Sequence, residues 1–150
     1  MTNAGIIGLT VDHLTCRRGE HEVFAGLSCS VHPGDVLYLR GPNGAGKSSL
    51  LRILAGFIAP AAGAVGWEGE DVAIDPLAHR SRLHYVGHLD TLKPVLTAAE
   101  NLRTQAAMLD EQADVETALR RFGLDNLRDL PARFLSAGQR RRLALARLVA

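Results

Sequence analysis

Apolar and β-branched residues crowd the first third of the chain, and helical spacing takes over in the last third. Ile6 to Thr15 and Val23 to Val31 are runs that pair as strands, with the turn-like Arg18-Gly19-Glu20 between them, so a hairpin or two edge strands is predicted. Pro33-Gly34-Asp35 makes a turn, and Val36-Leu37-Tyr38-Leu39 is a short apolar run that reads as a buried strand. A glycine-rich loop follows. Lys47 to Phe57 then has helical spacing, with Leu50, Leu51, Leu54 and Phe57 on one face. Pro60 to Gly69 reads as turn, strand, turn. Ala98 to Leu109 and Val115 to Phe122 read as helices; Thr97 with Glu100 fits a capping box, and Asp114 suits the start of the second. Leu135 to Gln139 is a loop, and a last helix begins near Ala137 or Gly138 and runs to Ala150. Strands first and helices last make the class α/β.

Composition narrows this. At 150 residues the chain has the size of one ordinary domain, and 47% hydrophobic with 22% charged residues is a globular balance, not a disordered one. A net charge of +1 supplies no bulk field, so no nucleic-acid partner is expected. Two cysteines, Cys16 and Cys29, make no disulfide framework, and a reduced cytosolic setting is the default. Met1 to Leu9 carries no basic stretch followed by an apolar block, and no run reaches the roughly eighteen apolar residues of a membrane span. Work at a membrane would need another protein's helices. Of 17 basic residues only Lys47 and Lys93 are lysine. A lysine kept among arginines suits a place that wants a slim point charge.

Lys47 lies in such a place. Gly41-Pro42-Asn43-Gly44-Ala45-Gly46-Lys47-Ser48 matches G-x-x-x-x-G-K-[ST] in full, with an apolar run before it and an amphipathic helix after it. The glycines let successive N–H groups turn inward into an anion nest, and the helix adds its free N–H groups and positive end. Lys47 would reach the β- and γ-phosphates of a nucleotide, the Ser48 hydroxyl would ligate Mg²⁺, and Ser49 belongs to the same nucleotide-binding run. A nucleoside triphosphate with Mg²⁺ is therefore the expected ligand.

A second motif narrows the reaction. Leu135-Ser136-Ala137-Gly138-Gln139, followed by Arg140-Arg141-Arg142-Leu143-Ala144-Leu145-Ala146-Arg147, resembles the LSGGQ signature of ABC ATPases. Serine and small residues at a helix N-terminus make another seat for phosphate oxygens. The resemblance implies a P-loop NTPase fold of ABC type: a mixed sheet core with an N-terminal antiparallel β part and a helical signature segment. It also implies a dimer, in which Ser136, Ala137, Gly138 and Gln139 cover the γ-phosphate held by the opposite subunit. The chain has no long heptad tract and no Cys-x-x-Cys pair between the motifs, which favours a transporter subunit over DNA-repair and chromosome-organising ABC ATPases.

Further stretches are similar to the haem exporter ATP-binding subunits of cytochrome c biogenesis. They are Leu14-Thr15-Cys16-Arg17-Arg18-Gly19, Val23 to Ser28, Leu50 to Gly56, Val65-Gly66-Trp67, Gly87 to Lys93, Leu96-Thr97 with Glu100-Asn101-Leu102, and the alanine at 137. That resemblance implies an ATPase on the cytoplasmic face of the bacterial inner membrane. It would act with integral membrane subunits of the cytochrome c maturation system and would not bind haem itself. A lipid or solute exporter subunit, a soluble ribosome-acting ABC factor and a nucleotide binder without turnover are the alternatives.

The chain departs from the general ABC pattern in three places. No aromatic stands near Arg17 or Arg18 to stack on adenine, and a guanidinium plane is the substitute. His88 occupies the Q-loop position, where a titratable imidazole replaces glutamine. Ala137 replaces a glycine. No apolar strand ending in Asp-Glu follows the signature, and Asp90, Asp110 and Asp129 do not substitute for it. The expectation is an N-terminal portion, residues 1–150, of an ATP-binding domain of roughly two hundred residues, inactive alone. His79, His84 and His88 are not spaced for one helix face, and with His13, His21 and His32 they read as structural. The arginines after Gln139 read as the solvated, partner-facing side of the last helix.

Overall fold

In the computed structural model, residues 8–87, 92–107 and 114–149 are described. His88, Asp90 and Asp110 lie outside them. The chain divides into two units, Met1–Leu83 and His84–Ala150.

The first unit is built on a four-stranded sheet. β1 (Leu9–Arg18) and β2 (His21–Val31) form the expected hairpin, antiparallel from Leu9 opposite Val31 to Arg18 opposite His21. β3 (Ala62–Trp67) lies antiparallel on the other side of β1, and the two-residue β4 (Glu70–Asp71) completes the order β2-β1-β3-β4. β1 bulges around His13, whose φ is 44°. β3 meets that bulge with Gly63 at φ +83°, where a Cβ would fall 2.4 Å from the Asp12 carbonyl oxygen. Only glycine fits so close a backbone approach. Among the described residues every strand pair is antiparallel, so the mixed sheet core that was expected is not formed there; Val36–Leu39, the run expected as its buried strand, has no strand partner.

Helix α1 (Lys47–Leu54) packs on this sheet through Leu50, Ile53 and Leu54, which join Val11, Leu14, Cys16, Val65 and Val72 in one core. Two expectations need correction. Leu51 and Phe57 do not share the buried face; they are 46% and 45% exposed. The helix stops at Leu54 because the chain turns through Gly56 at φ +70°, so Phe57 has left the helical spiral. The run Val36–Leu39 is no buried strand either: among the described residues nothing pairs with it, and Val36 is 89% exposed. An apolar run specifies burial only where a partner strand supplies the ladder.

The second unit is helical. α2 (Pro76–Ser81) closes the first unit, and α3 (Ala98–Ala107), α4 (Val115–Arg121) and α5 (Ala137–Ala146) make the second. Leu102, Ala118, Leu119, Leu124, Leu135 and Leu143 are its centre. The expected caps are formed. Thr97 N–H donates to Glu100 Oε2 at 2.8 Å, Glu100 N–H returns to Thr97 Oγ1 at 3.2 Å, and Asp114 accepts from Thr117 N–H at 3.0 Å. Asn101, 2% exposed, accepts from Lys93 N–H and donates to the carbonyls of Lys93, Leu96 and Thr97, fastening the loop before α3. α5 ends at Ala146, short of the expected Ala150, in a tightened turn with Leu148 N–H on Leu145 O. Among the described residues no helix is long and apolar enough to cross a membrane.

Candidate nucleotide site

The glycine-rich loop closes on itself before α1 begins. Ala45 N–H bonds Pro42 O at 3.3 Å, and Gly46, in the left-handed region at φ 88°, opens the helix by accepting from Leu50 N–H at 2.8 Å. Gly46 lies under β2 so closely that a Cβ would meet Val23 Cγ1 at 2.6 Å and Phe24 Cδ1 at 3.0 Å. Gly41 and Gly44 also take positive φ. Lys47 folds back over the loop, its Nζ donating to Gly41 O at 2.8 Å and Pro42 O at 2.7 Å. This ties down the loop's beginning with the cation that follows it.

A cavity of about 390 Å³ opens here, lined by Arg18, His21, Val23, Asn43, Gly44, Gly46, Lys47, Ser48 and Ser49. Of the expected residues 41–49, Asn43, Gly44, Gly46, Lys47, Ser48 and Ser49 line it, whereas Gly41, Pro42 and Ala45 do not. Ser48 is exposed, a hydroxyl oxygen of the donor class that a hard cation takes. Ser49 is buried, its Oγ accepting from Arg18 Nη2 at 2.9 Å. His21 and Val23 were not legible as site residues. They arrive because the hairpin register sets Arg18 against His21 and runs β2 past Gly46.

The second motif lies in the other unit. Ser136 caps α5: its Oγ accepts from Gln139 N–H at 3.2 Å, and its own N–H donates to Gln139 Oε1 at 2.7 Å. Ala137 and Gly138 are exposed, and a Cβ on Gly138 would meet nothing within 4 Å. The arginines behind the motif have a local role beyond solvation. Arg140 donates to Leu135 O, Arg141 to Gly87 O, Arg142 to Phe122 O and Arg147 to Tyr85 O, so they bind carbonyls at the ends of neighbouring segments. Burial pulls the Arg147 guanidinium below its ordinary pKa. His79 is a core histidine, its ring nitrogen 2.8 Å from Leu54 O and its ring edge-on to Trp67. His88 lies outside the described residues.

Residues 24–150 match the family model described as ABC transporter. The chain belongs to the ABC transporter family. It is 54% identical to a cytochrome c biogenesis ATP-binding export protein, CcmA, of Paramagnetospirillum magneticum, over 92% of this chain and 66% of that one. The namesake from Rhodospirillum rubrum is 53% identical over 93% of this chain and 60% of its own length. The chain thus spans between 60% and 66% of these two relatives. A solved ABC structure, described as an ATP-binding subunit of an ABC transporter, superposes with a TM-score of 0.79 at 27% identity. It covers 93% of this chain and 60% of that one. The ABC ATP-binding fold expected from the two motifs is the fold of this chain, with its antiparallel β part and helical signature segment.

Proposed function

We propose that the chain belongs to the ATP-binding subunit of an ABC export system serving cytochrome c biogenesis, and that it binds ATP with Mg²⁺ at residues 41–49. The observation that carries this is the loop itself: free N–H groups at the start of α1, positive-φ glycines and Lys47 converge on one cavity. On binding, Lys47 exchanges the carbonyls of Gly41 and Pro42 for β- and γ-phosphate oxygens, and the Ser48 hydroxyl is the chain's ligand to the metal. Mg²⁺ bound there would supply neutralisation of phosphate charge. Ser136, Ala137, Gly138 and Gln139 act in trans, capping the γ-phosphate in the loop of a second copy, so the working unit is a homodimer. Dimer closure drives integral membrane subunits of the cytochrome c maturation system from the cytoplasmic face of the bacterial inner membrane. His88 couples nucleotide state to those subunits, and haem is not held by this subunit. The names of the relatives support the choice of system.

Lys47→Ala in the full-length protein tests the reading. Removing a charge aimed at phosphate should weaken ATP binding by at least roughly tenfold and abolish turnover. Unchanged affinity and ATPase activity would overturn it.

A further inference from the structure

Arg18 ends β1 opposite His21, and its guanidinium reaches from the sheet to the first turn of α1, where it donates to Ser49 Oγ at 2.9 Å. Ser49 is buried, so this hydroxyl is a fixed anchor. It holds the guanidinium in the cavity that also contains Lys47 and Ser48. The neighbouring carboxylate on the hairpin does not balance this charge: Glu22 pairs with Arg17, at 3.7 Å. Among the described residues Arg18 has no carboxylate partner.

A cation in this position is electrostatically unfavourable while the site is empty. Lys47 shares the cavity, and the start of α1 carries the positive end of the helix dipole. Three sources of positive potential meet with no acidic side chain among the cavity's lining residues. Such an arrangement becomes favourable when the occupant is a polyanion, and a neutral base ring would not need it. The guanidinium also presents a planar fork matched to phosphate oxygens, with donors left after the one given to Ser49.

We propose that Arg18 is a second phosphate-binding cation of this site, held by Ser49 and donating to the non-bridging oxygens of the bound triphosphate. The proposal rests on the nucleotide reading of the loop. Its rival is a guanidinium used as a flat platform for the base.

Titration calorimetry of the full-length protein in excess Mg²⁺ separates them, with ATP and inorganic tripolyphosphate as the two probes. Tripolyphosphate carries the phosphates and no base. Arg18→Ala should weaken both probes by a similar factor, roughly tenfold for one charged contact. Arg18→Gln should lose as much, and Arg18→Lys, which keeps the charge without the fork, should recover only part of the affinity. If the variants lose ATP affinity but keep that for tripolyphosphate, Arg18 is a base platform and the proposal is overturned. Unchanged binding of both probes overturns it too. Lys47→Ala is the control. If it weakens both probes, the loop reading stands whatever Arg18 does; if it weakens neither, that reading fails and this proposal with it.

Discussion

Gly46 is where the sheet meets the glycine-rich loop, and its environment combines two constraints. Its φ of 88° is costly for any residue with a Cβ, and Val23 and Phe24 occupy the space that a Cβ needs. Gly46→Ala should therefore cost about 2–4 kcal/mol from backbone strain and overpacking together, read as a lowered denaturation midpoint. A change below about 0.5 kcal/mol, the usual size for a neutral surface substitution, would mean that β2 and the loop move apart freely. Both the legible and the hidden parts of the site are visible at this scale. Lys47 and Ser48 were legible because their chemistry lies within eight consecutive residues. Arg18's tie to Ser49 spans 31 positions, and the hairpin register that sets Arg18 and His21 at the cavity is not a property of any short window.

Among the elements, the starts of α3, α4 and α5 were legible, whereas α2, capped by Asp75, was missed and the ends of α1 and α5 were not legible. Thr97 with Glu100, Asp114, and Ser136 with Gln139 each satisfy free N–H groups with side chains a few positions away, so sequence spacing suffices. The ends of α1 and α5 depend on where the backbone turns, and Val36–Leu39 needed a distant partner strand that no local pattern announces. The caps have a consequence for pH. The hydrogen bond from Thr97 N–H holds the Glu100 carboxyl below its ordinary 4.5, and that from Thr117 holds Asp114 below 3.8. Each folded pKa lies below its unfolded value, so the stabilisation is complete above the ordinary value and lost as pH falls through the folded one. Thermal unfolding of wild type and Glu100→Gln should differ at neutral pH, and the gap should close as the pH is taken below 4.5. A gap that stays constant through that range would show that the ionised cap contributes nothing.

At the scale of the whole molecule, the two motifs lie one in each unit of the chain. If Ser136 to Gln139 act in trans, damage to one motif can be confined to one of two composite sites. A dimer pairing a Lys47→Ala subunit with a Gly138→Asp subunit keeps one site with both halves intact and concentrates both lesions in the other. Gly138→Asp suits this test because nothing within 4 Å would meet its Cβ, so its effect is charge beside phosphate and not misfolding. The mixed dimer should retain partial ATPase activity while either variant alone has none. Activity of Gly138→Asp alone at the wild-type rate would remove the signature from the mechanism.

The way Lys47 is held also bears on how this chain drifts through mutation. Of its 17 lysines and arginines all but Lys47 and Lys93 are arginine, so arginine is the replacement that this composition favours for a lysine. At most surface positions that exchange passes unnoticed. At position 47 two carbonyl oxygens, 2.8 and 2.7 Å away, converge on a single nitrogen. A tetrahedral ammonium serves both at once, whereas the donors of a guanidinium diverge in a plane and its bulk would fill the turn. The loop thus disfavours the very replacement that the composition favours, because two peptide oxygens converge where only a compact cation serves both.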